Sequence, residues 1–281
     1  DIKNYIDKVN RNTLVVNRIN ECDERKNTRG LNKFLMNSSL ISDHTVFISN
    51  WLKDLFFNQG FSNMNCSVIH NGADQEIFYP INNSENITEK FKIVTHHWGA
   101  NANKGIDAYK TLDLLLENHN FKREFEFTFI GNLPKNIILK NTEVLKPMNN
   151  LEIASYLRNC HIYLTGSINE PAGMHHIEGA LSGLPILYVE SGGITEYCKN
   201  YGIQYTVDNL EEKLAEIKNN YKKFKKSLLN YEFTGNAMNE KYLNLFNNLM
   251  DERSNLLNSR KQRPTFRLKN QYKIINKYFY L

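Results

Sequence analysis

The sequence lacks an uninterrupted apolar run long enough to cross a bilayer, which excludes a membrane-spanning helix within these 281 residues. It lacks a basic-then-apolar leader of the secretory kind. It begins at Asp1 rather than at methionine, so a processed or missing N-terminus is expected. It is poor in cysteine. The four present, Cys22, Cys66, Cys160 and Cys198, form no C-x-x-C pair, and their spacing suggests neither a zinc site nor a disulfide framework. Reduced thiols in a cytosolic protein are the simplest reading. No internal repeat and no low-complexity block occurs. What remains is a chain whose hydrophobic fraction of 41% is compatible with a packed core, and whose length suits one large domain or two of ordinary size.

The net charge of +5 is unevenly spread. Seven basic residues and no acidic ones lie between Arg260 and Lys277, and without those seven the rest of the chain carries −2. A near-neutral body argues against a nucleic-acid binder. The basic segment also carries Phe266, Tyr272, Tyr278, Phe279 and Tyr280, a composition suited either to an anionic membrane surface or to a terminal extension.

Periodicity divides the chain into two series. In the first, Leu14–Val16, Thr45–Ile48 and Cys66–Ile69 read as strands, with helices over Leu31–Leu40 and from Ser49. A polar stretch, residues 81–90, breaks the pattern. The second series is more regular. Strands are expected at Lys92–His97, Phe125–Ile130, near Val144, at His161–Thr165, Ile186–Val189 and Ile203–Tyr205. Helices are expected over Gly105–Asn118, Asn150–Asn159 and Ile194–Lys199, with longer amphipathic stretches over Asp208–Lys226 and Phe233–Leu257. Such alternation implies a parallel, doubly wound sheet, with ligands at the carboxyl ends of the strands.

The segment Glu170-Pro171-Ala172-Gly173-Met174-His175-His176-Ile177-Glu178 falls at one of those ends. Pro171 suits a first helical turn, and Gly173 permits close approach of a ligand to the backbone. Ile177, Ala180 and Leu181 recur at helical spacing, and Gly183 with Pro185 ends the helix. Glu170 therefore sits at the helix mouth and Glu178 about two turns further in. Free N–H groups at a helix start favour phosphate, and two carboxylates at different depths can accept from different hydroxyls of one ligand. A loop glutamate and a solvated helix glutamate are the alternative. Lys104, after the small-residue loop 99–103, can neutralise a diphosphate or face solvent. Gly192-Gly193 offers backbone donors or an ordinary turn. His96 and His97 are adjacent in a strand and point to opposite faces, so they do not share a metal, and one of them packs inside.

In order along the chain, Val68-Ile69-His70-Asn71-Gly72-Ala73-Asp74, Asn103-Lys104-Gly105, Glu170 to Glu178 and Ser191-Gly192-Gly193-Ile194-Thr195-Glu196 resemble four segments of the retaining GT-B glycosyltransferases of family 4, the glycosyl transferases group 1. The resemblance implies an α/β fold of two Rossmann-like domains with parallel doubly wound sheets, the N-terminal one incomplete. The corresponding boundaries are 1–75 for a partial acceptor-side domain, 76–90 for a linker, 91–228 for the nucleotide-sugar-binding domain and 229–281 for terminal helices and the basic tail. It further implies transfer of a sugar from a nucleoside-diphosphate donor, with retention, to a glycan, lipid-linked or small-molecule acceptor. Glu170 is the catalytic candidate. Lys104, Gly173, Glu178, Gly192, Gly193 and His97 are the donor-binding ones, with Glu178 on the ribose and Lys104 on the diphosphate. No metal and no cofactor are implied, the nucleotide sugar being a substrate. The resemblance places an arginine where this chain has Gly99, so the diphosphate either has one cation fewer or takes it from elsewhere. The expected location is cytoplasmic, with a peripheral membrane contact through the basic tail. Two other readings remain open: a non-catalytic nucleotide-sugar-binding module or truncated homologue, and a nucleotide-sugar epimerase of the same shape.

Overall fold

A computed structural model describes residues 2–81 and 90–261 of the chain. Most of the linker expected at 76–90 and of the basic tail lies outside the described residues. The chain forms two compact units. One gathers the residues up to Ile48, Leu52–Ile69 and those from Lys241. The other gathers Ser49–Trp51 and His70–Glu240.

The first unit is built on a parallel three-stranded sheet in the order β1 (Val16–Ile19), β2 (His44–Phe47), β3 (Cys66–Val68). Pairing starts with Val16 opposite His44, so β1 begins two residues later than the sequence pattern suggests. The cause is Asp43. Its carboxylate takes the Val15 N–H at 2.8 Å, and the Val15 carbonyl accepts the Asp43 N–H at 2.7 Å, so the chain joins the ladder only after Val15. Phe47 anchors the core, meeting Phe56 and Phe61 edge-on at 5.7 and 5.1 Å. Each large apolar side chain buried in this way contributes roughly 1.5–3 kcal/mol.

The charged run Arg18–Lys26 divides between β1 and a short Asp23–Lys26 helix. The Asp23 carboxylate caps the Leu31–Ser39 helix, accepting the N–H groups of Gly30, Leu31 and Asn32 at 3.0 Å and the Thr28 hydroxyl at 2.7 Å. Burial pushes its pKa up, but these donors outweigh it and the pKa is lowered, as expected for an anion at a helix start.

The second unit holds a six-stranded parallel sheet. Its strands are β4 (Phe91–His97), β5 (Phe125–Gly131), β6 (Glu143–Leu145), β7 (Ile162–Thr165), β8 (Ile186–Tyr188) and β9 (Gly202–Gln204), in the order β6-β5-β4-β7-β8-β9. From β4 the chain steps outward to β5 and β6, then returns to β7 and steps the other way. The direction reverses between β4 and β7, and the crevice at their carboxyl ends is where a doubly wound sheet binds ligands. The fold is thus α/β, with parallel Rossmann-like sheets in both units.

Two helices end earlier than their periodicity suggests. The Ile106–Leu115 helix stops before Asn118, whose side chain caps the next helix by accepting from the Asn120 and Phe121 N–H groups. The amphipathic run over 208–226 breaks at Asn220 into Leu210–Asn219 and Tyr221–Leu228. Asn220 turns its amide onto the Glu216 carbonyl at 2.9 Å, and Tyr221 packs edge-on against Phe91 at 5.2 Å.

Candidate functional site

Every residue of the site lies in the second unit. The β4 strand is followed by a loop and a short 3-10 turn, Ala102–Lys104, whose N-cap Asn101 accepts the Asn103 N–H at 2.9 Å. Gly105 then adopts φ +101 before the Ile106–Leu115 helix, and a Cβ there would lie 2.7 Å from the Gly166 backbone. Both the left-handed conformation and the close approach require glycine. The turn aims Lys104 at the end of β7, where its Nζ donates to Glu170 Oε2 at 2.7 Å, the side chains being 13% and 10% exposed.

Glu170 is held from behind by the glycine pair. A Cβ on Gly192, at φ +68, would fall 2.3 Å from the Glu170 carbonyl oxygen, and one on Gly193 would fall 2.1 Å from that of Pro171. The Gly193 N–H, one of the backbone donors that the glycine pair offers, donates to the Glu170 carbonyl at 2.9 Å. The pair therefore fixes the Glu170 loop. Asn169, at φ +52, donates its N–H to Ser191 Oγ at 2.9 Å and completes the clamp.

The helix of the acidic motif spans Met174–Leu181 with Gly173 as N-cap. Gly173 has an ordinary φ of −75°. Its need for glycine is steric, because a Cβ would lie 2.3 Å from Cε1 of His175. His175 is buried and pairs through Nε2 with Thr165 Oγ1 at 3.0 Å. Burial, reinforced by Lys104 and the neighbouring histidines, drives its pKa well down. His176 is fully buried, and neither ring nitrogen has a hydrogen-bond partner among the described residues. Burial pushes its pKa down to about 3 against the opposing pull of Glu170, so the ring is neutral at neutral pH.

Glu178 meets β4. His96 Nε2 lies 2.6 Å from its Oε2. His97, the histidine that the resemblance assigns to the donor, is on the opposite face, as strand alternation requires. It stacks on Tyr109 at 5.8 Å and meets Phe129 edge-on at 5.0 Å, with Nδ1 2.9 Å from the Gly99 carbonyl. The strand thus places His96, rather than His97, on Glu178, while both rings meet that of His175 edge-on, at 6.4 and 6.5 Å. The described residues hold no group of three His, Cys, Asp or Glu arranged for a metal.

Glu196, the last residue of the fourth segment, is heavily bonded. It accepts the N–H groups of Asn50 and Trp51 at 2.9 and 2.8 Å, the Asn50 amide at 2.9 Å and His70 Nε2 at 2.7 Å. Burial raises its pKa, but the donors from His70, Trp51 and Asn50 prevail and bring it to about 2, from an ordinary 4.5. A carboxylate depressed on folding stabilises the protein above its unfolded pKa, and that contribution is lost as the pH falls through the folded value. Glu196 is thus expected to contribute up to about 3 kcal/mol at pH 7, of which about 2 is gone at pH 3. Urea unfolding at the two pH values, in the unchanged protein and in Glu196→Gln, checks this. The variant should be weaker at pH 7 and lose less between pH 7 and pH 3.

Fold and site together define an α/β protein of the GT-B type with a site at the switch point of its larger sheet. Residues 106–231 match the model of the family described as glycosyl transferases group 1. The chain is similar in structure to HepE from Anabaena in complex with UDP, at a TM-score of 0.71 and 14% identity over 88% of this chain and 75% of that one. The same protein with UDP-glucose gives 0.69 and 14%, over 88% and 76%. Sucrose-phosphate synthase from Thermosynechococcus elongatus gives 0.64 and 12%, over 84% and 68%. At such identities the likeness establishes the fold. No curated protein sequence matches the chain. Among the described residues, no helix is long and apolar enough to cross a membrane.

Proposed function

We propose that the protein transfers a sugar, with retention and without a metal, from a nucleoside-diphosphate donor to a glycan, lipid-linked or small-molecule acceptor. The observation that carries this reading is the pair of carboxylates at the end of β7, Glu170 held by Lys104 and Glu178 held by His96, inside the segment that matches a glycosyltransferase family. Breaking a glycosidic bond to a diphosphate leaves negative charge on the leaving group and positive charge at the anomeric carbon. Fixed charges stabilise both better than mobile water does. Lys104 faces the first charge and Glu170 the second, and their mutual contact keeps each in register before the sugar arrives. Glu178, deeper in the helix, receives the ribose hydroxyls. The complexes of HepE with UDP and UDP-glucose make uridine nucleotides the first donors to try.

The test is calorimetric titration of UDP- and GDP-linked sugars into the unchanged protein and into Glu178→Ala. Loss of a ribose-binding carboxylate is expected to weaken the preferred donor by about 10- to 100-fold, as for a hydrogen bond to a charged group. A donor that binds both proteins equally would remove Glu178 from the site. Binding without transfer or hydrolysis would mark a binding module instead of an enzyme.

A further inference from the structure

A carboxylate that recognises a ribose does so best when its orientation is fixed before the ligand arrives, because ordering it on binding weakens affinity. The second unit contains the means to fix Glu178. His96 Nε2 engages only Oε2, and Oε1 has no partner among the described residues. The pair is largely shielded, with side chains 7% and 15% exposed. His96 is fixed in turn from β7. The Tyr163 hydroxyl lies 3.1 Å from His96 Nδ1 and accepts the His96 backbone N–H at 3.1 Å. Tyr163 is fully buried and presses on Gly179 of the acidic-motif helix, where a Cβ would lie 2.4 Å from its ring. With the imidazole proton on Nε2, that nitrogen donates to Glu178 and Nδ1 is left as an acceptor facing the Tyr163 hydroxyl, whose one proton is shared between Nδ1 and the His96 carbonyl at 3.3 Å. All three side chains then have complementary roles.

We propose that His96 is a positioning residue, which holds one oxygen of Glu178 so that the other is offered to the hydroxyls of a nucleotide ribose, with Tyr163 setting the imidazole tautomer. The inference rests on the donor reading above and adds the origin of its preference for ribonucleotides. Neither histidine of the Met174–Leu181 helix takes this part. His175 is committed to Thr165, and His176 has no hydrogen bond to Glu178.

The experiment is calorimetric binding of UDP, GDP and ADP and of their 2′,3′-dideoxy counterparts to the unchanged protein, His96→Leu, His96→Gln, Tyr163→Phe and Glu178→Ala. The quantity read is the ratio of the two affinities within each protein, which general damage to the fold does not move. The unchanged protein should favour the ribonucleotide by about 10- to 100-fold. His96→Leu should lose most of that ratio with little change for the dideoxy form. His96→Gln keeps a donor near the Nε2 position and should retain most of it, while Tyr163→Phe should fall between the two. An undiminished ratio in His96→Leu, or equal losses for both nucleotides in both His96 variants, overturns the inference and leaves the donor reading standing. If Glu178→Ala keeps the ratio, or if the unchanged protein binds none of the nucleotides, the donor reading itself fails and the inference falls with it.

Discussion

Lys104→Met is expected to lower sugar transfer by about 10²- to 10³-fold, the range for removing one fixed group that stabilises charge in a transition state. The same change should also destabilise the protein, and the two effects have separate causes. Glu170 is only 7% exposed, and its carboxylate meets the Lys104 ammonium at 2.7 Å. Removing the cation leaves a buried carboxylate without its charge partner, a loss of up to about 3–5 kcal/mol. The double variant Lys104→Met, Glu170→Gln separates the two causes. A neutral amide tolerates burial without a cation, so stability should return toward that of the unchanged protein while transfer stays low. Urea unfolding and single-turnover transfer with the preferred donor measure both. Full activity in Lys104→Met would remove the lysine from the diphosphate. Unchanged stability would mean that the Glu170 carboxylate does not depend on Lys104 for its support. The conservative change Lys104→Arg should keep stability better than activity, because a planar guanidinium meets a carboxylate well but carries its charge at a different point.

Much of this site is legible in the sequence because its residue types are unusual in their places. A lysine-glycine at a helix start, two glutamates eight positions apart around Gly173, and a glycine pair before another helix each have a local physical reason, and their order along the chain adds to it. What the sequence does not carry is who meets whom. His96 and Glu178 are 82 positions apart, Lys104 and Glu170 are 66 apart, and Asn50 and Glu196 are 146 apart. These pairs exist only because β4 and β7 lie side by side and because Ser49–Trp51 pack with the second unit. Alternation along β4 reveals that His96 and His97 face opposite ways. Which of them reaches Glu178 depends on the crossover between β7 and β8, and that is a property of the sheet. The glycines tell a similar story. Gly192 and Gly193 look like donors to a phosphate when read locally, whereas the structure spends them on close contact with the Glu170–Pro171 backbone. Strands are legible in the sequence because runs such as Phe125–Ile130 bury nearly every side chain. Helix ends are less legible, because an asparagine at 118 or 220 acts through one or two hydrogen bonds that periodicity does not register.

Arg260 shows the same limit in the first unit, and replacing it by alanine is expected to destabilise the protein by about 3–5 kcal/mol. By charge alone it opens the basic segment that runs to Lys277. In the structure it closes the Arg253–Lys261 helix onto the start of the sheet. Its guanidinium forks onto Asp43, with Nε 3.1 Å from Oδ1 and Nη2 on Oδ2, and it also reaches the Thr13 carbonyl at 2.7 Å. Asp43 is fully buried and its carboxylate also caps the Val15 N–H, so it ties the entry of β1 to the chain's last described helix. Alanine at 260 strands that charge in the interior. Arg260→Lys should recover only part of the loss, because an ammonium lacks the fork that matches a carboxylate. Arg260→Ala combined with Asp43→Asn should recover more, since the amide keeps the acceptor for Val15 and removes the buried charge. The measurement is the urea midpoint of each variant by far-ultraviolet circular dichroism. If Arg260→Ala unfolds at the same urea concentration as the unchanged protein, Asp43 is satisfied without its cation, and Arg260 belongs with the basic residues that follow it rather than with the core of the first unit.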